Sequence, residues 1–323
     1  MTQRSLSFAA ALSGVAVFAS SALADAPSLL FPVGCELGET CFLQQFVDRD
    51  AGPDARDFTC GPQSYDGHQG TDIRLADFEA LNLGWPVLAA ASGTVLGSRN
   101  TVADGGIAMM PEGQDCGNGV VLDHGDGWQT QYCHLAQGSV TVQQGDTVEA
   151  GAALGQIGFS GRSEFPHLHM TLRHNGQVID PFDPTETAVC GIGAPDLWIE
   201  DISHNAGDVM SAGFAQDIPE FEAIKQGDAD AAFLTRTAPA LVLWGFVHSA
   251  RAGDQIRVLI TDPDGVAFHE QLVELNRTQA QLFRASGRRA PNGGLRAGLY
   301  RGQVSLLRGG VTISQRNTQI EIR

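Results

Sequence analysis

The segment FPHLHMTL, at residues 165–172, alternates between two kinds of side chain. Successive side chains of a β-strand point to opposite faces, so His167 and His169 share one face while the apolar residues around them share the other. The pattern predicts a half-buried strand with an apolar back and an imidazole front. Two imidazoles on one rigid face can share a metal ion, or one can bind it while the other transfers protons. The spacing alone leaves a pair of solvated surface histidines as the alternative.

The region from Trp85 to about residue 184 consists of short apolar runs separated by Gly, Asp and Asn. The stretches HGDG at 124–127 and HNGQ at 174–177 are typical of hairpin turns, and helical periodicity is weak throughout. A Gly-rich, polar stretch at 99–117 predicts a long loop, which in a compact domain often carries function. These features predict an antiparallel β core.

A second strand-rich block covers residues 236–323, with several candidate strands and a DPDG turn at 262–265. Its spacing and alternation predict a small β-sandwich that is immunoglobulin-like in architecture only. Residues 191–235 are acidic and less patterned, and they predict a connector with one short helix near 219–226. The expected fold class is therefore mainly β, with an antiparallel core followed by a C-terminal sandwich.

The N-terminus has the features of a secretory signal peptide. Arg4 precedes an apolar run at 8–18, and an A-x-A-type cleavage site follows at 22–24. Residues 1–24 are therefore expected to be removed, which leaves a mature chain from Asp25. No later apolar run is long enough to span a bilayer. We therefore expect an exported, soluble protein that is periplasmic or secreted.

Six cysteines in the expected mature chain predict up to three disulfides in an oxidising compartment. No C-x-x-C pair occurs, which argues against a thiolate metal site. Cys116 and Cys133 flank a hairpin whose antiparallel register places them roughly opposite each other. A second pair can close a small loop, and the third pair then follows by elimination. The expected pairs are Cys116–Cys133, Cys35–Cys41 and Cys60–Cys190.

The formal net charge of −17 is divided unevenly along the chain. Residues 25–235 hold 7 basic and 31 acidic residues, a net charge of −24, whereas 236–323 hold 12 arginines and 6 acidic residues, a net charge of +6. The division favours two domains with different electrostatic roles. The basic block can dock onto an anionic wall or membrane surface, pack on its acidic neighbour, or form a solvated face. No motif of a nucleic-acid-binding protein occurs.

Two further segments carry residues of the types that bind metals. GHQGTDIR places His68 and Asp72 four residues apart, and QYCHLA places Tyr132 and His134 on one strand face. With the HLH segment they supply four histidines and one carboxylate. Two imidazoles, one carboxylate and an open position form a common catalytic zinc set, which leaves two imidazoles for proton transfer. Tyr132, on the predicted face of His134, is a candidate for substrate contact.

These segments resemble the lysostaphin/LytM-type zinc metalloendopeptidases that cut peptidoglycan. The resemblance is carried, over roughly residues 60–185, by HQGTD, NGVVLDHGDGWQTQYCHL, VQQGDTVEAGAALGQIGFSG and HLHM…VIDP. It implies an antiparallel β fold with the metal in an open groove. It implies one Zn²⁺ per chain with His68, Asp72 and His169 as ligands, and His134 and His167 as the non-ligand catalytic pair. It also implies hydrolysis of the peptide crosslinks of peptidoglycan by metal-activated water.

The resemblance implies a domain organisation in which a zinc metalloendopeptidase domain covers residues 60–190. An N-terminal segment at 25–59 precedes it, and the acidic connector at 191–235 and the basic β-sandwich domain at 236–323 follow. Glu164 and Phe165 stand where members of the family usually have small, Gly-rich residues, so the shape of the groove is expected to differ.

Several functional alternatives stay open at this level. The chain can be a non-catalytic module of the same type that binds the cell wall and activates a separate amidase. Both D-alanyl-meso-diaminopimelate crosslinks and polyglycine bridges are candidate substrates. Residues 25–60 can lie over the groove as an inhibitory segment.

Overall fold

The computed structural model describes residues 26–185, 189–191, 195–204 and 206–323, and within these residues the chain is mainly antiparallel β-structure. The predicted signal peptide at 1–24 lies outside the described residues. No helix in the described part of the chain is long and apolar enough to cross a membrane. The strands of the first unit are β1 (Cys41–Gln45), β2 (Thr71–Leu75), β3 (Pro86–Leu88), β4 (Gly93–Arg99), β5 (Asn118–Gly125), β6 (Trp128–Leu135), β7 (Thr147–Val148), β8 (Ala153–Gln156), β9 (His167–His174) and β10 (Gln177–Ile179). Two short 3-10 helices accompany them, at Glu79–Leu83 and Gly106–Met109.

One antiparallel sheet dominates the first unit, with the strand order β1-β2-β9-β6-β5-β4-β7. Strand β10 also pairs with β9, and β3 pairs with β8. Strand β9 has the predicted alternation: Leu168, Met170 and Leu172 are buried in the apolar core, whereas His167 and His169 line a cleft. The predicted antiparallel core and its half-buried strand are therefore confirmed.

The N-terminal segment is part of this first unit. Leu29 and Val33 lie in the same apolar core as Leu168, and β1 forms the sheet edge beside β2. A boundary at residue 60 therefore divides a continuous core, because a short segment buries its apolar side chains best against the neighbouring sheet. Its residues Gln44 and Gln45 contribute to the wall of the cleft.

The second unit is the predicted C-terminal β-sandwich. Its strands are β11 (Asp208–Ala215), β12 (Ala240–Ala250), β13 (Gln255–Thr261), β14 (Ala267–Glu274), β15 (Gln279–Arg289), β16 (Gly298–Arg308) and β17 (Val311–Ile322). They form a three-stranded sheet, β11-β12-β15, and a four-stranded sheet, β14-β13-β16-β17. The two sheets enclose one apolar core, with Phe214 and Val247 from the first and Val258 and Val304 from the second.

The expected connector at 191–235 contains more regular structure than its composition predicts. Helix α1 (Phe221–Gln226) lies where a short helix was expected. Strand β11, however, pairs with β12 and buries Val209 and Phe214 in the sandwich core. The sandwich therefore includes residues before 236. The segment DVMSAGFA has no strand signal of its own because small residues interrupt the alternation, and pairing with β12 stabilises it.

A third apolar cluster joins the two units. Phe42 of β1 packs there with Met210, Trp244 and Phe246 of the sandwich and with Ile224 of α1. Burial of these large side chains in one cluster holds the units in a fixed arrangement.

Polar contacts reinforce the junction. The Arg316 guanidinium forms an ion pair with Glu39, donates to the Gly38 carbonyl oxygen at 3.0 Å, and lies 5.8 Å from the Phe42 ring centroid. One arginine of the basic block thus packs on its acidic neighbour, whereas Arg288 and Arg301 are exposed.

The three expected disulfides are confirmed, with Cα–Cα distances of 6.1, 5.2 and 4.8 Å for Cys35–Cys41, Cys60–Cys190 and Cys116–Cys133. The first pair closes the loop that contacts Arg316, and the third joins the end of the 99–117 loop to β6. The second joins residues 130 positions apart.

The disulfides should differ in their contributions to stability. In the chain-entropy model a crosslink stabilises more as its loop lengthens, by ~5 kcal/mol for the separation of Cys60 and Cys190 but only ~2 kcal/mol for that of Cys35 and Cys41. We expect the Cys60→Ser/Cys190→Ser variant to lose more free energy of unfolding in urea than the Cys35→Ser/Cys41→Ser variant. Equal losses would contradict the loop-length argument.

Candidate metal centre

The central sheet places Asp72 and His169 side by side. Strands β2 and β9 pair antiparallel with Asp72 directly opposite His169 and Arg74 opposite His167. The neighbours Ile73 and Leu168 are fully buried on the core side, which fixes the register, since a slip by one residue would expose them. The apolar backs of the strands therefore bring a carboxylate and an imidazole together.

His68 approaches from the turn before β2. Gly70 follows it where the chains pass closely: a Cβ there would lie 2.6 Å from the Met170 carbonyl oxygen and 2.7 Å from the His169 ring. Only glycine fits this approach without displacing β9. The His68 Nδ1–H donates to the Phe46 carbonyl oxygen at 2.7 Å, which leaves Nε2 with a lone pair toward Asp72.

The three side chains fit a tetrahedral zinc ion. His68 Nε2 lies 3.2 Å from Asp72 Oδ1 and 3.2 Å from His169 Nδ1, and Asp72 Oδ1 lies 2.8 Å from His169 Nδ1. Zinc bonds of about 2.0–2.1 Å at tetrahedral angles separate ligand atoms by roughly 3.3 Å. His169 Nε2 contacts Thr171 Oγ1 at 3.1 Å, which leaves Nδ1 for the metal. Among the described residues, His68, Asp72 and His169 form the cluster of side chains that could hold a metal ion. We call these three residues the candidate metal group.

The electrostatics of the group favour an ionised carboxylate. Burial opposes the charge on Asp72, but interactions with the adjacent His68, His167 and His169 side chains hold the pKa of Asp72 well below its usual range. Burial also acts against protonation of His68, yet the adjacent Asp72 carboxylate raises the pKa of His68. The pocket therefore attracts positive charge, which is the condition for binding a cation.

A β-bulge turns His134 toward the metal group. The pairing of β5 with β6 shifts between Asn118 and Val120, and His134 has a left-handed backbone with φ of 65°. Bulges interrupt strand alternation and re-aim a side chain. The Cys116 carbonyl oxygen accepts the His134 backbone N–H at 2.8 Å, so the Cys116–Cys133 disulfide fastens the bulge.

The same bulge makes the expectation for Tyr132 wrong. Tyr132 does not share the face of His134: it is fully buried, and its hydroxyl oxygen accepts from the Ala90 backbone N–H at 2.8 Å and from Thr130 Oγ1 at 3.0 Å. It belongs to the apolar core and lies outside the cleft lining. Simple alternation fails here because the left-handed backbone at His134 interrupts the strand geometry, so Tyr132 and His134 point to different sides.

His134 and His167 are held as neutral imidazoles with the same tautomer. The His134 Nδ1–H donates to Ser160 O and the His167 Nδ1–H to Phe165 O, both at 2.8 Å, so each Nε2 has a free lone pair. Burial is the main cause that lowers the pKa of His134 to about 3, because it disfavours the protonated form. Burial likewise lowers the pKa of His167. The two ring centroids lie 4.7 Å apart.

Phe165, one of the two departures from the family pattern, supports His167 from behind. The Phe165 ring stacks on the His167 ring with centroids 4.4 Å apart. The Arg74 guanidinium lies 4.7 Å from the Phe165 centroid. Stacking and the cation–π contact fix the Phe165 ring. A small residue at this position could not orient the imidazole in this way.

All five residues predicted for the site line one cleft with a volume of about 1020 Å³. His124 lies on β5 outside the cleft lining, with Nδ1 2.8 Å from Ser92 O and Nε2 2.8 Å from Thr130 Oγ1. The 99–117 loop contributes Ile107 and Asp115 to the cleft, as its length indicated.

Other cleft residues were not found from the sequence. They come from β1 and from the sandwich, and include Gln44, Gln45, Gln279 and Gln281. The sequence contains one weak signal for these cleft residues, the two adjacent glutamines at 44–45 at the end of an apolar strand. The sandwich glutamines lie more than a hundred residues from the histidine motifs, and no local pattern connects them with the site.

Comparison with known proteins agrees with this architecture. The family model described as Peptidase family M23 matches residues 66–181. The DD-carboxypeptidase/endopeptidase Mpg of Neisseria meningitidis is 39% identical over 79 residues, 24% of this chain and 18% of that protein. The peptidoglycan DD-endopeptidase ShyA of Vibrio cholerae is 32% identical over 113 residues, 35% of this chain and 22% of that protein.

A third relative is named for cell division. The cell division protein DipM of Caulobacter vibrioides is 33% identical over 106 residues, 33% of this chain and 15% of that protein. The chain thus spans about a fifth of the length of the curated relatives it matches.

Solved structures show similarity to part of the chain. The catalytic domain of lysostaphin from Staphylococcus simulans is 28% identical with a TM-score of 0.27, covering 36% of this chain and 76% of that one. The catalytic domain of the prophage-encoded M23 protein EnpA from Enterococcus faecalis is 25% identical with a TM-score of 0.30, covering 43% and 88%. The family match leads to the conclusion that residues 66–181 form a Peptidase family M23 domain.

Proposed function

We propose that the protein is an exported zinc metalloendopeptidase that hydrolyses peptide crosslinks of bacterial peptidoglycan. The observation that carries this proposal is the close approach of His68, Asp72 and His169, whose ligand atoms have the separations of a tetrahedral zinc site, beside two further neutral imidazoles. His68, Asp72 and His169 would hold the ion, and His134 and His167 would act on the substrate.

The zinc ion and the two additional imidazoles would have different roles in the reaction. When bound, zinc supplies a Lewis acid that polarises a carbonyl group and lowers the pKa of water. The Nε2 atoms of His134 and His167 are proton acceptors in the same cleft, because each Nδ1–H is committed to a backbone carbonyl oxygen. Either imidazole can take the proton of the attacking water and deliver it to the nitrogen of the leaving amine.

Two further observations support the proposed substrate class and location. The relatives include proteins named as a DD-carboxypeptidase/endopeptidase and as a peptidoglycan DD-endopeptidase, which favours crosslinks of the D-alanyl type over polyglycine bridges. Three disulfides and no free cysteine among the described residues suit an oxidising, extracytoplasmic compartment.

A second candidate function is a wall-binding module that activates a separate amidase. The similarity to a protein named for cell division, rather than for a peptidase, favours this alternative. The complete candidate metal group and both additional imidazoles favour the enzyme.

Zinc content separates the proposed ligands from the proposed proton carriers. We expect the purified protein to hold about one equivalent of zinc and His169→Ala to lose it, because a ligand bond is removed. His167→Ala should keep its zinc and lose about 10²–10⁴-fold in activity, the usual contribution of a general acid or base. The measurements are elemental analysis and a hydrolysis assay.

His174→Ala is the matched control, since His174 is on the same strand but outside the cleft lining. It should keep both zinc and activity. Equal metal loss in His167→Ala and His169→Ala would show that the assigned roles are wrong.

Digestion of purified sacculi tests the reaction itself. The wild-type protein should release crosslink-derived peptides with new amine and carboxyl ends, and prior removal of zinc with a chelator should abolish the release. Mass spectrometry of the products identifies the bond. Sacculi left intact by the protein alone, but solubilised faster when an amidase is present, would support the activator instead.

A further inference from the structure

The cleft that contains the candidate metal group extends onto the C-terminal sandwich. Its lining includes Ser249 at the end of β12 and residues 278–281 at the start of β15, together with the histidines of the first unit. The sandwich is therefore a wall of the same cavity. Nothing in the M23 match at 66–181 assigns a role to this wall.

A continuous path of contacts leads from the metal group to this wall. Gln45 lies opposite Asp72 in the β1–β2 pairing, and a bulge inserts Gln44 beside it. The Gln44 carbonyl oxygen accepts from Ser249 Oγ of the sandwich at 3.5 Å. The wall thus begins one strand away from the ligand Asp72.

The Arg74 side chain also connects β1 with the sandwich. This buried side chain donates from Nη1 to Gln44 Oε1 and lies 3.5 Å from Gln281 Oε1. Its guanidinium also lies 4.7 Å from the Phe165 centroid and 5.4 Å from the Phe246 centroid. Because the apolar cluster at the junction is buried as well, the wall is formed before any substrate binds.

The chemistry of this wall differs from that of the rest of the cleft. Asp66, Asp115 and Glu164 give the remainder several carboxylates, whereas four glutamine side chains converge where the two units meet. Each glutamine amide has donors and an acceptor, so such a surface matches the N–H and C=O groups of a peptide main chain without requiring charge. Gln45 Oε1 is buried and, among the described residues, has no hydrogen-bond partner.

We propose that Gln45, Gln279 and Gln281 form a peptide-binding subsite in which the sandwich holds the main chain of the substrate's stem peptide. A rotation of the partly exposed Gln45 side chain presents this unpaired oxygen to a main-chain N–H of the peptide, which gives the acceptor a hydrogen-bond partner. The C-terminal sandwich is in this respect a substrate-binding part of the active cleft. The inference rests on the proposed function for the identity of the peptide.

The test measures binding of a crosslinked muropeptide dimer to the full-length protein. His167→Ala serves as the background, so that bound peptide is not hydrolysed, and titration calorimetry gives the Kd. In this background Gln279→Ala/Gln281→Ala removes the sandwich amides. Gln303→Ala/Gln319→Ala is the matched control, because it makes the same change in a hollow on the outer face of the sandwich. Thermal unfolding checks that all variants are folded.

The subsite predicts a Kd about tenfold weaker for Gln279→Ala/Gln281→Ala and unchanged for the control, as expected for the loss of two hydrogen bonds. In the otherwise wild-type protein, Gln279→Ala/Gln281→Ala should raise KM more for the dimer than for a truncated peptide with one residue on each side of the bond. Equal Kd values in both pairs would overturn the inference. Failure of the wild-type protein to cleave the dimer would instead contradict the proposed function, while the Kd comparison would still decide the subsite.

Discussion

The antiparallel pairing of β2 with β9 is the constraint on which the site depends. It places Asp72 opposite His169 and Arg74 opposite His167, while Ile73 and Leu168 are buried behind them. A slip of one residue would expose the apolar side chains and separate the carboxylate from the imidazole, so one register satisfies both the core and the metal group. Burial of Ile73 and Leu168 therefore fixes the relative positions of Asp72 and His169.

The two units of the chain act as one body around the cleft. The M23 domain contributes the imidazoles and carboxylates, and the sandwich contributes neutral amides and hydroxyls. Buried aromatic side chains and Arg74 hold the two walls together, with the Arg74 guanidinium between Phe165 and Phe246. This arrangement places part of the basic unit beside the candidate metal ligands. Its exposed arginines, such as Arg288 and Arg301, stay available for contact with an anionic surface.

Local patterns in the sequence predict much of the fold and of the site. The alternation in FPHLHMTL gives β9 and its two faces, and hairpin register gives the Cys116–Cys133 disulfide. Where prediction fails, long-range pairing or irregular backbone decides. Strand β11 depends on β12 for its stability. The left-handed backbone at His134 separates the His134 side chain from Tyr132, which was expected on the same face.

The glutamine wall shows the same limit, because residues 279–281 line the same cleft as Gln45 only after both units have folded. No periodicity or spacing connects two elements that far apart in the chain. Only the packing of the sandwich against β1 brings them together.

X-ray absorption spectroscopy of the zinc-loaded protein shows which of the four cleft imidazoles bind the metal. We expect an edge and fine structure fitted by two imidazoles and oxygen ligands at about 2.0–2.1 Å, with no sulfur at about 2.3 Å. The spectrum should be the same in His167→Ala. A fit that requires three or four imidazoles, or a spectrum that changes when His167 is removed, would contradict the assignment of His68, Asp72 and His169 as the ligands.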